Sequence, residues 1–575
     1  MDAFIQKLKS EKILVYKPGE TEYERSVATA NLLYRFARPG CVVQPERNSQ
    51  VQTIVREAKS RKISITIKNG GHSYAGFSIA DDGISLDLTK MRRVDLNVPS
   101  MTVTLQGGAQ WGNAYRKLVD GRFDGYIING GRCPTVGVSG FTLGGGLSPF
   151  TRSFGMGCDT LTEATIITAD GNEVTVKKTD DPKSDKGKLF WALCGAGGGN
   201  FGVVIQLKLS VQKLQNPNGN VVAGVYTWDP KALSTNDLLA TMNRFYTTNW
   251  PNQLTIDSSW VCDLQGSPGR DLAVRFIVYF DGNKNEFDGL IDKNITQRDL
   301  AKQLKRRSME EKSTRFLHET LVAQWSDETV RAFPSNPSNS LYSSFVFKND
   351  KDRIENVTSI IQREMAAFKR LFTGEQCLLQ VTWIHGGGEA SKKKRSASAF
   401  RWRDGVYHAY IWIRWQEKFL ERDMRGFLQT FKDKLRPFSM MGRASFINFP
   451  DATLAVNTHE RVYYGNNRQE LQRIKKIWDK DNFFKWSHGV RLPQPKNTSS
   501  QSSAPVTSRM MRMEVSQAVA VRIAASDGQD FEGASEQMDE QDLTDNMARD
   551  QWERFTMPAE NNFVGGLQGL NSLGF

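Results

Sequence analysis

Cysteine is scarce and scattered. There are six in 575 residues, Cys41, Cys133, Cys158, Cys194, Cys262 and Cys377, and no two stand at Cys-x-x-Cys spacing. This excludes a disulfide framework and a structural zinc site, and no metal is expected. Nowhere do about eighteen apolar residues run together, so no membrane-spanning helix is expected. The opening Met-Asp-Ala-Phe-Ile-Gln-Lys-Leu-Lys-Ser has no apolar stretch of the kind a secretory signal needs; the expectation is a soluble cytoplasmic protein without a membrane partner. Lysine and arginine outnumber aspartate and glutamate by 76 to 63, a net charge of +13. Yet only Lys392 to Arg395 form a tight basic run, and the clustered stripe that nucleic acid requires is missing. The charge reads as a solvated basic surface that can draw in an anionic substrate or cofactor.

What the chain does have is glycine in particular places. Ile63 to Tyr74 is a strand whose isoleucines alternate with Ser64 and Thr66, running into Gly70-Gly71-His72-Ser73-Tyr74. A glycine pair lets the backbone turn and bring its N–H groups close to an anion or a flat ligand. A second stretch, Gly130 to Gly146, sets three glycine clusters around the single Cys133. Alone, His72 reads as an incidental structural imidazole and Cys133 as a small buried apolar residue. Together the two loops are far more specific.

The paired loops, Gly-Gly-His-Ser-Tyr and then Gly-x-Cys-Pro-Thr-Val-Gly-Val-x-Gly-x-x-x-Gly-Gly-Gly, resemble the bicovalent branch of the berberine bridge enzyme-like FAD-linked oxidoreductases, in the vanillyl-alcohol oxidase (PCMH-type) flavoprotein superfamily. The likeness covers most of residues 30 to 210 and returns near the C-terminus. It implies FAD bound through His72 to the flavin 8α-methyl and through Cys133 to ring carbon C6. Asn69, Gly70, Gly71 and Ser73 would serve the pyrophosphate, and Val136, Gly137, Ser139, Gly140 and Gly144 would run along the ring and ribityl chain. Gly199, Gly202 and Val204 would let backbone approach the flavin, with Asn448 and Tyr464 added from the C-terminal element. Val136 also falls where the family gates dioxygen.

The implied fold is α+β, with strands and helices mixed. A two-part PCMH-type FAD-binding domain (1–210) precedes an α+β substrate-binding domain on an antiparallel sheet (211–440). A C-terminal element (441–493) returns to the FAD domain, and 494–575 reads as a largely disordered tail with a short helix near 544–555. Within this order, Ser49 and Gln52 suggest a capping box, 297–312 and 354–372 carry helical spacing, and the glycine-rich loop 386–398 is expected to be mobile. Gly197-x-Gly199-x-x-Gly202 matches the dinucleotide fingerprint, but a strand-like Val203 to Leu209 follows where a helix is needed, so a Rossmann fold is rejected.

Two departures from the relatives bear on chemistry. Phe446 and Phe449 stand where the family has tyrosines, the second of which serves several relatives as base. Phe141 stands where relatives place a histidine that steadies the reduced flavin. Either another group takes the proton or no base is used; the candidates are Tyr74, Tyr410, His385 and Gln380, with His408 and Trp412 on the face that Tyr410 shares. The expected function is an FAD-dependent oxidase taking a hydride from a small hydrophobic or aromatic substrate and passing electrons to dioxygen, giving hydrogen peroxide. An oligosaccharide oxidase, or a flavin-scaffolded cyclase or binding protein, stays open beside it.

Overall fold

In the computed structural model, residues 1–494 are described apart from 30, 232, 266–271 and 327–337. The expected disorder of the tail and the expected helix near 544–555 fall outside the described residues. The described strands make three sheets. In the first, Cys41–Gln44 and Ile84–Asp87 lie parallel and are buried at every position. A strand covered on both faces has no reason to alternate, and these do not. Ile65–Lys68 adds parallel to Ile84–Asp87, and Leu14–Tyr16 adds antiparallel at the other edge. The helix Asn48–Ser60 joins this core through Val51, Ile54, Val55 and Ala58.

The second sheet centres on Val203–Lys213, which pairs with Thr102–Gln106 on one side and Leu161–Ile167 on the other. The glycines at 197, 199 and 202 therefore open an 11-residue strand. A strand has no helix N-terminus to offer a pyrophosphate, so the dinucleotide motif is a coincidence of spacing.

The third sheet has seven antiparallel strands, from Ser308–Lys312 at one edge to Asn339–Phe347 at the other, with Cys377–His385 and Tyr407–Trp415 adjacent. Its two faces go to different cores. Trp383, Tyr407 and Ile411 pack against the helices Thr235–Thr247, Lys351–Phe372 and Glu421–Leu435. Ile384, Tyr410 and Trp412 belong instead to the core that contains Leu143 and Phe446. After this sheet the chain returns to the second one. The Tyr464 hydroxyl donates to the Ala196 carbonyl, and the fully buried Lys475 ammonium donates to the Asn200 carbonyl while pairing with Asp479 at 2.7 Å.

Three local expectations change. No capping box forms at Ser49 and Gln52: the helix begins at Asn48, and the Gln52 amide instead donates to the Gly171 carbonyl of a neighbouring hairpin. The 297–312 stretch is helical only over Arg298–Arg307, because Ser308–Lys312 gains a ladder with Asn220–Gly224. Finally, the start of the 386–398 loop is pinned: the buried Arg152 guanidinium donates to the Gly386 carbonyl at 2.7 Å, and the Ser391 hydroxyl donates to the Arg403 carbonyl at 2.6 Å.

Candidate active site

The first loop leaves the sheet at Lys68 and crosses the second loop backbone on backbone. A Cβ added to Gly70 would sit 2.6 Å from the Gly137 nitrogen and 2.8 Å from the Thr135 carbonyl oxygen, so only glycine allows this crossing. Asn69 locks it, its amide donating to the Gly107 carbonyl at 2.5 Å and its Oδ1 buried without a partner. The Ser139 hydroxyl donates to the same Gly107 carbonyl.

The crossing brings His72 and Cys133 to one hydroxyl. Thr135 Oγ1 lies 2.9 Å from His72 Nε2 and 3.3 Å from Cys133 Sγ. Burial pushes the imidazole down to about 4, so it is neutral at physiological pH. Beside Cys133, the Arg132 guanidinium is buried and paired with Asp257, 2.6 Å from Nε to Oδ2. Asp257 also accepts from the His385 backbone N–H at 2.9 Å. The pair fastens the cysteine loop to the third sheet.

These loops wall a cavity of about 400 Å³ that runs from Thr29 and Tyr34 to the third sheet. Of the expected cofactor residues, His72, Cys133, Asn69, Gly70, Gly71, Ser73, Val136, Gly137, Ser139, Gly140, Gly199, Gly202, Val204 and Asn448 line it. Gly144 and Tyr464 stand behind the wall. Gly144 makes room for Asn448, whose Oδ1 lies only 1.8 Å from where a Cβ would fall, and Asn448 donates to the Phe141 carbonyl at 2.9 Å. Tyr464 is held by Ala196.

The candidates for proton transfer divide the same way. Tyr74 and Tyr410 line the cavity. Tyr74 stacks on Tyr342 with centroids 4.2 Å apart, and Tyr342 lies nearly parallel to Trp412. His385 does not line it: strand alternation turns the side chain to the other face, where it stacks on Tyr407 and its Nδ1 accepts from the Ile256 N–H. Gln380 faces the correct side of its strand but spends its amide on Thr382, 2.7 Å away, and is also absent from the wall. His408 is buried against Phe400 and Phe446, and burial lowers it to about 3.

Sequence reasoning did not single out Arg132, Asp257, Tyr34, Tyr342 or Trp486. Arg132 could have been found as the one charged residue inside the Cys133 motif. Tyr342 carries no local signal, because only the sheet register sets it beside Trp412.

The residues present fit a flavin. Two glycine-rich backbones with no Cβ in the way offer close approach, a buried amide oxygen on Asn69 awaits a donor, and aromatic rings close the far wall. The family descriptions agree: "FAD binding domain" matches residues 39–177, and "Berberine and berberine like" matches residues 445–491. The chain is 25% identical to an uncharacterized FAD-linked oxidoreductase of Bacillus subtilis over 82% of this chain and 95% of that one. It is 24% identical to tetrahydroberberine oxidase of Argemone mexicana, over 78% of this chain and 82% of that one. A solved chitooligosaccharide oxidase superposes with a TM-score of 0.70 at 19% identity, covering 86% of this chain and all of that chain.

Proposed function

The chain is a berberine bridge enzyme-like FAD-linked oxidoreductase, and from that premise we propose that it is an oxidase that carries FAD bonded to both His72 and Cys133 and oxidises a small aromatic or hydrophobic substrate. The observation that supports the double tether is the shared Thr135 hydroxyl, which sets both side chains on one wall of the cavity. Bound flavin supplies a hydride acceptor that dioxygen can reoxidise, with release of hydrogen peroxide.

The chain's own residues do the rest. Tyr74, Tyr342, Tyr410, Trp412 and Phe449 make an aromatic wall on which a flat substrate can lie. Two cationic side chains, Lys485 and the Arg132 that pairs with Asp257, also line the cavity, and among the described residues no carboxylate does. With Phe449 unable to accept a proton, the role passes to a neighbouring phenol, and Tyr74 and Tyr410 are the tyrosines whose rings lie against Phe449. Val136 lines the cavity, and it is the residue we assign to gating dioxygen.

Denaturing the purified protein and digesting it tests the tether: flavin mass on the peptides of both His72 and Cys133 is expected, and flavin released with the supernatant would refute it. A panel of aromatic alcohols, alkaloids, polyketides and oligosaccharides, followed by peroxide release and flavin bleaching, tests the substrate class. Oligosaccharides belong in it because of the likeness to chitooligosaccharide oxidase. Flavin that no member of the panel bleaches would favour a non-redox scaffold.

A further inference from the structure

We propose that Thr135 is the positioning residue that readies His72 and Cys133 together, by accepting a hydrogen bond from His72 Nε2 and donating one to Cys133 Sγ. The proposal rests on the double tether proposed above. A threonine hydroxyl has one proton to give. At 2.9 Å from Nε2 and 3.3 Å from Sγ, that proton can point only one way at a time.

If it points at Nε2, the neutral imidazole must carry its own proton on Nδ1, and the sulfur can reach the oxygen only as an S–H donor. Neither atom is then a nucleophile. If it points at Sγ, the oxygen accepts the Nε2–H, Nδ1 keeps its lone pair, and the sulfur accepts a hydrogen bond that supports the charge it gains as its own proton leaves in the bond-forming step. The two side chains are therefore ready together or idle together.

The hydroxyl is held in place to do this. Thr135 is β-branched, which restricts its side-chain torsion, and its carbonyl packs against Gly70 at the loop crossing. Burial keeps His72 neutral, as the arrangement requires.

Each tether then balances as one substitution. Nδ1 bonds the 8α carbon in place of one methyl hydrogen, and Sγ bonds C6 in place of the ring hydrogen. For each bond, the two electrons and two protons released reduce one dioxygen to one hydrogen peroxide.

Thr135→Val removes the hydroxyl and keeps the shape, whereas Thr135→Ser keeps the hydroxyl. Peptide mass analysis of the purified holoproteins is expected to show about tenfold less chain with flavin on both peptides in Thr135→Val, consistent with the loss of hydrogen bonds to a charged group. Flavin should still be bound but extractable, and Thr135→Ser should restore both bonds. Full double attachment in Thr135→Val, or a serine variant as impaired as the valine one, would overturn the proposal.

A measurement on the unmutated protein does not depend on the variants folding. NMR of the isolated flavinyl peptide should place the imidazole bond at Nδ1, and a bond at Nε2 would overturn the proposal, since that nitrogen is the one Thr135 occupies. Unmutated protein lacking flavin on either peptide would sink the double tether itself. Unmutated and valine proteins that are equally tethered would sink only the role of Thr135.

Discussion

Phe449 lies against Tyr74 with ring centroids 5.8 Å apart and planes 14° from parallel, and Tyr410 closes on Phe449 from the side at 4.8 Å. Phe449, where the family resemblance implies a tyrosine, is here a packing surface flanked by two phenols from elsewhere in the chain. On the proposed function, proton transfer falls to those neighbours. With a substrate that bleaches the flavin, Tyr410→Phe should slow bleaching on the order of 10²-fold. Adding Phe449→Tyr to that variant should recover part of the rate. Stopped-flow absorbance checks both, and an unchanged rate in Tyr410→Phe removes Tyr410 from the role.

His385 gives the contrasting case. Because it faces the helices behind the sheet and stacks on Tyr407, His385→Phe should leave the bleaching rate within a few-fold of the parent. Its expected effect is on stability, about 1–3 kcal/mol from the Ile256 N–H left without its acceptor. Rate and denaturant midpoint, measured on the same preparation, separate the two roles.

Gly144 has no side chain because Asn448 occupies the space. An added methyl carbon would fall 1.8 Å from Asn448 Oδ1, so Gly144→Ala should push the C-terminal segment off the cysteine loop. A cost of about 1–3 kcal/mol is expected from the overpacking, together with weaker flavin retention. A melting temperature and flavin content equal to the parent would show that the segment yields freely.

The Arg132–Asp257 pair is buried on both sides. Removing one partner strands the other charge, so Asp257→Leu should destabilise by about 3–5 kcal/mol, whereas the double change Arg132→Met with Asp257→Leu should recover most of it. Urea unfolding of the parent and the two variants is the measurement, and equal losses in the single and double variants would contradict it.

Burial lowers His408 to about 3 and His488 to about 4, against a usual value near 6.5. Between these limits the unfolded chain binds protons that the folded chain refuses, so stability rises with pH across that window and falls away as the medium is acidified from about 6.5 towards 4. Melting temperature measured from pH 8 down to pH 4 should drop below about 6.5. His408→Phe should flatten the slope, and an unchanged slope would mean that His408 is not a source of it.

Much of this was legible locally. The alternating isoleucines ahead of Gly70, the glycine clusters around Cys133 and the apolar run after Gly202 each declare their structure within a few residues, because strand pleat and glycine torsion are local properties. They were enough for the fold class, for FAD and for fourteen of the sixteen expected cofactor residues to fall on the cavity wall. The side a strand presents is a different kind of fact. His385 and Tyr410 both sit on aromatic strands, and nothing near either one says which face meets the cofactor loops. Pairing Ile384 with His408 and Thr382 with Tyr410, then packing helices on the opposite face, decided that Tyr410 would reach the cavity and His385 would not.

The amino-acid sequence by itself determined where the backbone could turn tightly enough to admit a flat cofactor, since that needs only the absence of a Cβ at the right places. Tertiary structure alone decided which side chains the cofactor loops would meet. Thr135 reaches His72, Arg132 finds Asp257 and Phe449 settles on Tyr74 because sheets and loops distant along the chain are driven together by burial of their apolar faces, and no local pattern encodes that meeting.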